Sequence, residues 1–97
     1  MKEDMGSRYR RGANFERRVR HIFEEDGYQC WRSAGSKSPA DIICLRRGEL
    51  ILIQCQTNSY FPPGKRQQLE ELVRENNCQG RLVHREGRGK IVMKTIG

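Results

Sequence analysis

Apolar residues recur at helical spacing in the first third of the chain. One face of the predicted helix carries the side chains of Phe15, Val19, Ile22 and Phe23. Charged residues fill the opposite face, and Gly27 is a natural stop because glycine readily adopts the conformation that ends a helix. The pattern predicts an amphipathic helix over residues 13–26. The preceding residues 1–12 are polar and basic, and we expect residues 1–8 to form a mobile basic arm.

The rest of the chain alternates short apolar runs with turn-forming residues, which is typical of strands. The predicted strands cover residues 28–32, 41–45, 50–57, 81–84 and 90–94. A second helix is predicted over residues 65–76, and the turn at residues 46–49 joins two of the strands into a hairpin. The resulting order, α-β-β-β-α-β-β, predicts a single α/β domain over residues 1–97, with helices flanking a mixed central sheet.

The charge balance favours a polyanionic partner. The chain has 19 Lys and Arg residues against 12 Asp and Glu residues, a net charge of +7. Nucleic acid is the first expectation for such a protein. No apolar run approaches the roughly 20 residues of a membrane-spanning helix, and the opening residues 1–4 are too polar for a signal peptide. We therefore expect no membrane partner and a cytoplasmic protein of cellular or viral origin.

The four cysteines, Cys30, Cys44, Cys55 and Cys78, lack the paired spacing of zinc ligands. Three of them lie within or beside apolar runs. We expect them to be reduced side chains that pack as small hydrophobic groups.

Candidate chemistry lies at the predicted hairpin. Asp41 opens one strand, and the triplet from Gln54 to Gln56 closes the next. In a hairpin these ends lie side by side, and residues 54 and 56 share a face because side chains alternate along a strand. Glu16, at the edge of the apolar helix stripe, could approach the same point. An acid and a polar triplet in this layout are typical of a metal-dependent nuclease, although a polar strand end is also common without any function.

The two glutamines differ in their expected consequences. Phosphodiester hydrolysis is assisted by Mg²⁺, which prefers oxygen ligands. Gln54 retains an oxygen and could still bind the metal weakly. Gln56 cannot supply a positive charge near the scissile phosphate. By analogy with the loss of one preorganised hydrogen-bond donor in other enzymes, we expect the rate to fall roughly a hundredfold or more.

Several segments together carry a resemblance to a known family. They are Tyr9-Arg10-Arg11-Gly12-Ala13, Glu16-Arg17, the segment from Arg32 to Lys37, and Asp41. In these residues the chain resembles the archaeal-type Holliday junction resolvases of the PD-(D/E)xK nuclease superfamily. The resemblance implies a restriction-endonuclease-like fold and a homodimeric endonuclease. It also implies Mg²⁺ as cofactor, with Mn²⁺ as a substitute, and cleavage of four-way DNA junctions in recombination and repair.

The resemblance also assigns roles to residues. It makes Asp41, Gln54, Glu16 and Gln56 the catalytic positions, with Gln54 in place of a glutamate and Gln56 in place of a lysine. The implied metal ligands are Asp41, Gln54, the Cys55 backbone carbonyl and, through a water, Glu16. The implied DNA-binding residues are Arg8, Arg10, Arg11, Arg17, Arg32, Ser33, Ser36, Lys37, Lys65 and Arg66.

The leading hypothesis is a junction-cutting endonuclease weakened or inactivated by Gln56. One alternative is a non-catalytic junction-binding protein on the same fold, and another is a related nuclease acting on other DNA structures. An RNA-binding module is least supported, because no exposed aromatic platform is evident. We expect Trp31 to lie in the core, and Phe61 to lie either in the core or at a dimer interface.

Overall fold

The computed structural model describes residues 2–33 and 38–96. It contains two helices and five strands in the predicted order α-β-β-β-α-β-β. The elements are α1 (Lys2–Glu25), β1 (Gln29–Arg32), β2 (Ile42–Arg46), β3 (Glu49–Gln56), α2 (Pro63–Glu75), β4 (Gln79–Glu86) and β5 (Lys90–Ile96).

The five strands form one mixed sheet in the order β1-β2-β3-β4-β5. Strands β2 and β3 pair antiparallel as the predicted hairpin, with Ile42 opposite Ile53. Strand β4 pairs parallel to β3, and helix α2 makes the crossover between them. The register places Gln56 opposite His84. The ends of β3 and β4 and the start of β2 therefore meet at one edge of the sheet.

The central strand β3 separates two hydrophobic cores. Its Ile51 and Ile53 pack with buried residues of α1, among them Val19. The intervening Leu52 packs on the other side with Leu69 and Val73 of α2. Because alternate side chains of a strand point to opposite faces, the two helices cover the two faces of the sheet. The predicted α/β architecture is confirmed.

Several boundaries differ from the predicted ones. Helix α1 begins at Lys2 rather than at residue 13, because the polar segment contains good helix formers and no proline to stop the helix. The mobility expected for residues 1–8 stays a prediction. Strands β4 and β5 are longer than predicted and pair along most of their length, from Gly80 opposite Ile96 to Glu86 opposite Lys90.

The prediction that Trp31 lies in the core is wrong. Trp31 is 50% exposed on β1, which is an edge strand. Its neighbour Cys30 packs against the core on the α1 side, so alternation turns Trp31 to the other face. Phe61 packs at the margin of the core on the α2 side. Its ring lies edge-on to His84, with ring centroids 6.1 Å apart.

All four cysteines are free thiols, as expected. Cys44 and Cys55 are buried, while Cys30 and Cys78 are half-buried. Among the described residues, no helix combines the length and apolar character needed to cross a membrane.

Candidate active site

Asp41 is fixed where the β2–β3 ladder ends. Its backbone N–H donates to the Ile53 carbonyl at 2.8 Å. Its carboxylate Oδ2 accepts a hydrogen bond from the Cys55 backbone N–H, also at 2.8 Å. The side chain therefore does what a backbone carbonyl does elsewhere in the ladder. This pair of bonds on β3 holds the carboxylate at the sheet edge and limits its rotation.

Helix α1 and strand β1 bring a second carboxylate to Asp41. Arg32 Nε donates to Glu16 Oε1 at 2.9 Å, which ties the end of β1 to the helix. The next residue, Ser33, donates its backbone N–H to the Asp41 carbonyl at 2.9 Å. Glu16 is mostly shielded, with its side chain 20% exposed. Three separate elements thus converge on one point.

Both carboxyl groups have raised pKa values. Burial is the main cause for each of them. The charge of Asp41 raises the pKa of Glu16 further, whereas the charges of Arg32 and Lys65 oppose the rise at both groups. The two carboxylates are therefore close enough to repel each other. A bound cation would relieve that repulsion.

Gln54 lies on the opposite face of β3 from Cys55 and is 1% exposed. Its amide Nε2 donates to the Lys65 backbone carbonyl in the first turn of α2 at 2.8 Å. Its other polar atom, Oε1, is buried and has no hydrogen-bond partner among the residues that the structure describes. A buried oxygen without a partner is costly, and a cation is one group that could satisfy it.

The residues fit a divalent cation, with a reduced set of charges. Among the described residues, no group of three or more His, Cys, Asp or Glu side chains could hold a metal. The Asp41 and Glu16 carboxylates nevertheless lie near each other beside the end of β3, and Gln54, next to Cys55 in that strand, has an oxygen without a partner among the described residues. All of these are hard oxygen donors of the type that Mg²⁺ prefers. The assignment of the Cys55 carbonyl as a further ligand stays a prediction.

Gln56 is the last residue of β3 and is half-buried. Alternation places it on the same face as Gln54, under helix α2. It brings no charge to the site.

The DNA-binding residues assigned from the sequence fall into three groups. Arg32, Lys65 and the backbone of Ser33 lie at the carboxylate pair. Arg17 and Arg66 are exposed and contact their own helices, through Asn14 and Glu70 respectively. Arg8, Arg10 and Arg11 belong to helix α1, while Ser36 and Lys37 lie outside the described residues.

Two features of the site were not predicted. The Cys55 backbone amide orients Asp41, and Lys65 acts electrostatically on both carboxyl groups. The sequence placed Lys65 at a helix start but only as a DNA contact. Its approach to the carboxylates depends on how α2 packs over β3, which no local pattern encodes.

Comparisons with known proteins agree with this geometry. A family model described as archaeal Holliday junction resolvase matches residues 7–81. A relative from Methanocaldococcus jannaschii, named crossover junction endodeoxyribonuclease Hjc, is 42% identical over 55 residues. That match covers 57% of this chain and 41% of the relative, so the chain spans about two fifths of that protein's length.

A solved structure shows the same fold. The Holliday junction resolvase Hjc of Archaeoglobus fulgidus superposes with a TM-score of 0.70 at 18% sequence identity. The superposition covers 86% of this chain and 70% of the resolvase. With the family match extending over most of the sequence, from the second turn of α1 into β4, the chain belongs to the archaeal Holliday junction resolvase family.

Proposed function

We propose that this protein is a metal-dependent, structure-selective endonuclease that cuts four-way DNA junctions with low turnover. The observation that carries the proposal is the Asp41–Glu16 carboxylate pair, oriented by the Cys55 amide and by Arg32. Membership of the resolvase family supports a four-way DNA junction as the substrate. The net charge of +7 supports a polyanionic partner.

Asp41 and the Gln54 oxygen would hold Mg²⁺, or Mn²⁺ in its place, with Glu16 acting through a water. When bound, the ion supplies positive charge to the phosphate and makes water a better nucleophile. The Asp41 carboxylate is already oriented, because its Oδ2 accepts the Cys55 N–H. Its Oδ1 would then be the oxygen that binds the ion. Glu16 is held by Arg32 through Oε1. Its raised pKa makes it a better proton acceptor for the attacking water.

We expect the protein to bind four-way junctions well and to cut them poorly. Gln54 gives the metal an amide oxygen where the resemblance implies a carboxylate, so metal affinity is reduced. Gln56 gives the scissile phosphate no charge. These two substitutions favour the second candidate function, a junction-binding protein with no turnover. Both candidates share the fold, the DNA surface and the site, and they differ only in catalysis.

The proposed assembly is a homodimer. A four-way junction has two equivalent strands to cut, and a C2 pair of identical subunits would present two equivalent sites. Size-exclusion chromatography with light scattering, with and without junction DNA, tests this part of the proposal. A protein that remains monomeric on the junction would contradict it.

The central experiment compares four-way junction and linear duplex of the same sequence, with Mg²⁺, Mn²⁺ or EDTA. We expect tighter binding to the junction, steeply weakened by salt, and slow cleavage that requires the metal. Asp41→Asn should abolish cleavage and retain binding. Equal affinity for duplex and junction would overturn the resolvase assignment. Junction-selective binding with no cleavage in either metal would establish the second candidate.

A further inference from the structure

Two consecutive residues of β3 each hold a neighbouring segment of the site by a hydrogen bond. The Cys55 backbone N–H holds the Asp41 carboxylate, and the Gln54 side chain holds the Lys65 carbonyl, each at 2.8 Å. The backbone of Lys65, in the first turn of α2, therefore lies directly beside the strand segment that orients Asp41. Two hydrogen bonds from adjacent buried residues of β3 therefore hold Asp41 and the Lys65 backbone to the same part of that strand.

The side chain of Lys65 carries a positive charge that acts on both acids. Its charge lowers the pKa of Asp41 and of Glu16. Lys65 is half-buried, and it forms no salt bridge with the part of the chain that the structure describes. The neighbouring Arg66 is exposed and is paired with Glu70. Of these two cations at the start of α2, Lys65 is the one whose charge acts on the carboxylates.

Residue 56 and Lys65 lie on the same side of the sheet. Leu52 packs against α2, and Gln54 bonds to it. Alternation therefore places the side chain of residue 56 on that face as well. A lysine at residue 56 and a lysine from the first turn of α2 would approach the sheet edge from the same side.

Resting on the proposed nuclease function, we propose that Lys65 supplies the positive charge at the scissile phosphate that Gln56 cannot supply. The positive charge of the side chain would act electrostatically on the phosphate oxygens, and the proposal includes no proton transfer. Gln54 is then a positioning residue, because its amide holds the turn that carries Lys65. The positive charge at the site would then come from Lys65 in α2, because Gln56 at the end of β3 is neutral.

The test uses the full chain and a synthetic four-way junction, with cleavage measured in a single turnover at saturating protein in Mg²⁺. Junction affinity is measured separately in EDTA. Lys65→Gln should lower the cleavage rate by roughly a hundredfold, by analogy with the loss of one preorganised hydrogen-bond donor in other enzymes. Lys65→Arg should retain much of the rate. Arg74→Gln, which removes one charge from the exposed far end of the same helix, should leave the rate unchanged.

Rescue separates charge from structure. Adding Gln56→Lys to Lys65→Gln should restore most of the lost rate, because the charge returns on the same face. A rate loss that this second change does not restore would overturn the proposal and assign Lys65 to helix packing or DNA binding. Thermal unfolding of each variant identifies any that are destabilised.

The outcomes also separate this inference from the proposed function. Cleavage by Lys65→Gln at the original rate overturns the role of Lys65 and leaves the nuclease assignment intact. Junction-selective binding without cleavage by the unaltered chain also overturns it, while supporting the non-catalytic candidate. Absence of junction-selective binding overturns the proposed function itself.

Discussion

The Gln54 side chain donates a 2.8 Å hydrogen bond to the backbone carbonyl of Lys65, joining the buried end of β3 to the first turn of α2. Only the amide nitrogen of Gln54 can make this bond, since a carboxylate has no donor. Residue 54 therefore has two roles that conflict chemically. A glutamate would bind a metal better, whereas the glutamine holds the helix.

Gln54→Glu should destabilise the metal-free protein. An ionised carboxylate at this buried position would face the Lys65 carbonyl without a hydrogen bond, at a cost of about 1–3 kcal/mol or more. Urea unfolding in EDTA measures the loss, and Mg²⁺ should recover part of it. Gln56→Glu, at the half-buried neighbouring position on the same face, is the control and should cost less. Equal stability of Gln54→Glu and the unaltered chain would contradict the anchoring role.

Asp41→Asn should stabilise the metal-free protein at neutral pH. The pKa of Asp41 is raised in the folded state, mainly by burial, so its proton binds more tightly to the folded than to the unfolded chain. The stability that protonated Asp41 contributes is therefore fully present below the pKa of an aspartate in the unfolded chain, about 3.9. It is lost as pH rises through the folded pKa. Asparagine avoids this loss and can still accept from the Cys55 N–H.

The measurement is the unfolding temperature in EDTA between pH 3 and pH 8. The difference between Asp41→Asn and the unaltered chain should be small at the acid end and grow with pH. Glu71→Gln, an exposed position in α2, controls for the change in net charge. A difference that is constant with pH would show that the asparagine acts by packing.

Divalent metal should stabilise the folded protein through the two carboxylates. A ligand that binds only the folded state raises its stability with concentration. We expect millimolar Mg²⁺ to raise the unfolding temperature relative to EDTA. Asp41→Asn should abolish this rise, and Glu16→Gln should reduce it. An equal rise in all three proteins would place metal binding elsewhere.

Gly80→Ala should loosen the packing of α2 on the sheet. A Cβ atom at Gly80 would lie 2.8 Å from Val73 Cγ2 and 3.2 Å from Ile96 Cδ1. Val73 is buried and branched at Cβ, so it cannot easily move away. We expect a loss of about 1–3 kcal/mol in urea unfolding.

Gly12→Ala is the matched control, since a Cβ there meets nothing within 4 Å and the position is helical. It should gain about 0.5–1 kcal/mol. Losses of the same size at both positions would contradict the packing argument.

The local patterns of the sequence determined much of the fold. The apolar spacing from Phe15 to Phe23 predicted α1, and the turn between two apolar runs predicted the β2–β3 hairpin. Both predictions depend on the periodic spacing of apolar residues along a helix or strand, which can be read directly from the sequence. Asp41 and the position of residue 54 followed from the same hairpin, and Glu16 from the edge of the helix stripe.

Long-range packing decided the rest. Trp31 is exposed because β1 is an edge strand, and Gln54 is buried because α2 lies over it. The charge of Lys65 acts on the carboxylates because the first turn of α2, the crossover helix after β3, lies beside the end of that strand. The sequence by itself determined which elements form and which residues line the sheet edge. Only the tertiary structure decided which side chains share that edge, because contacts between distant segments have no period along the chain.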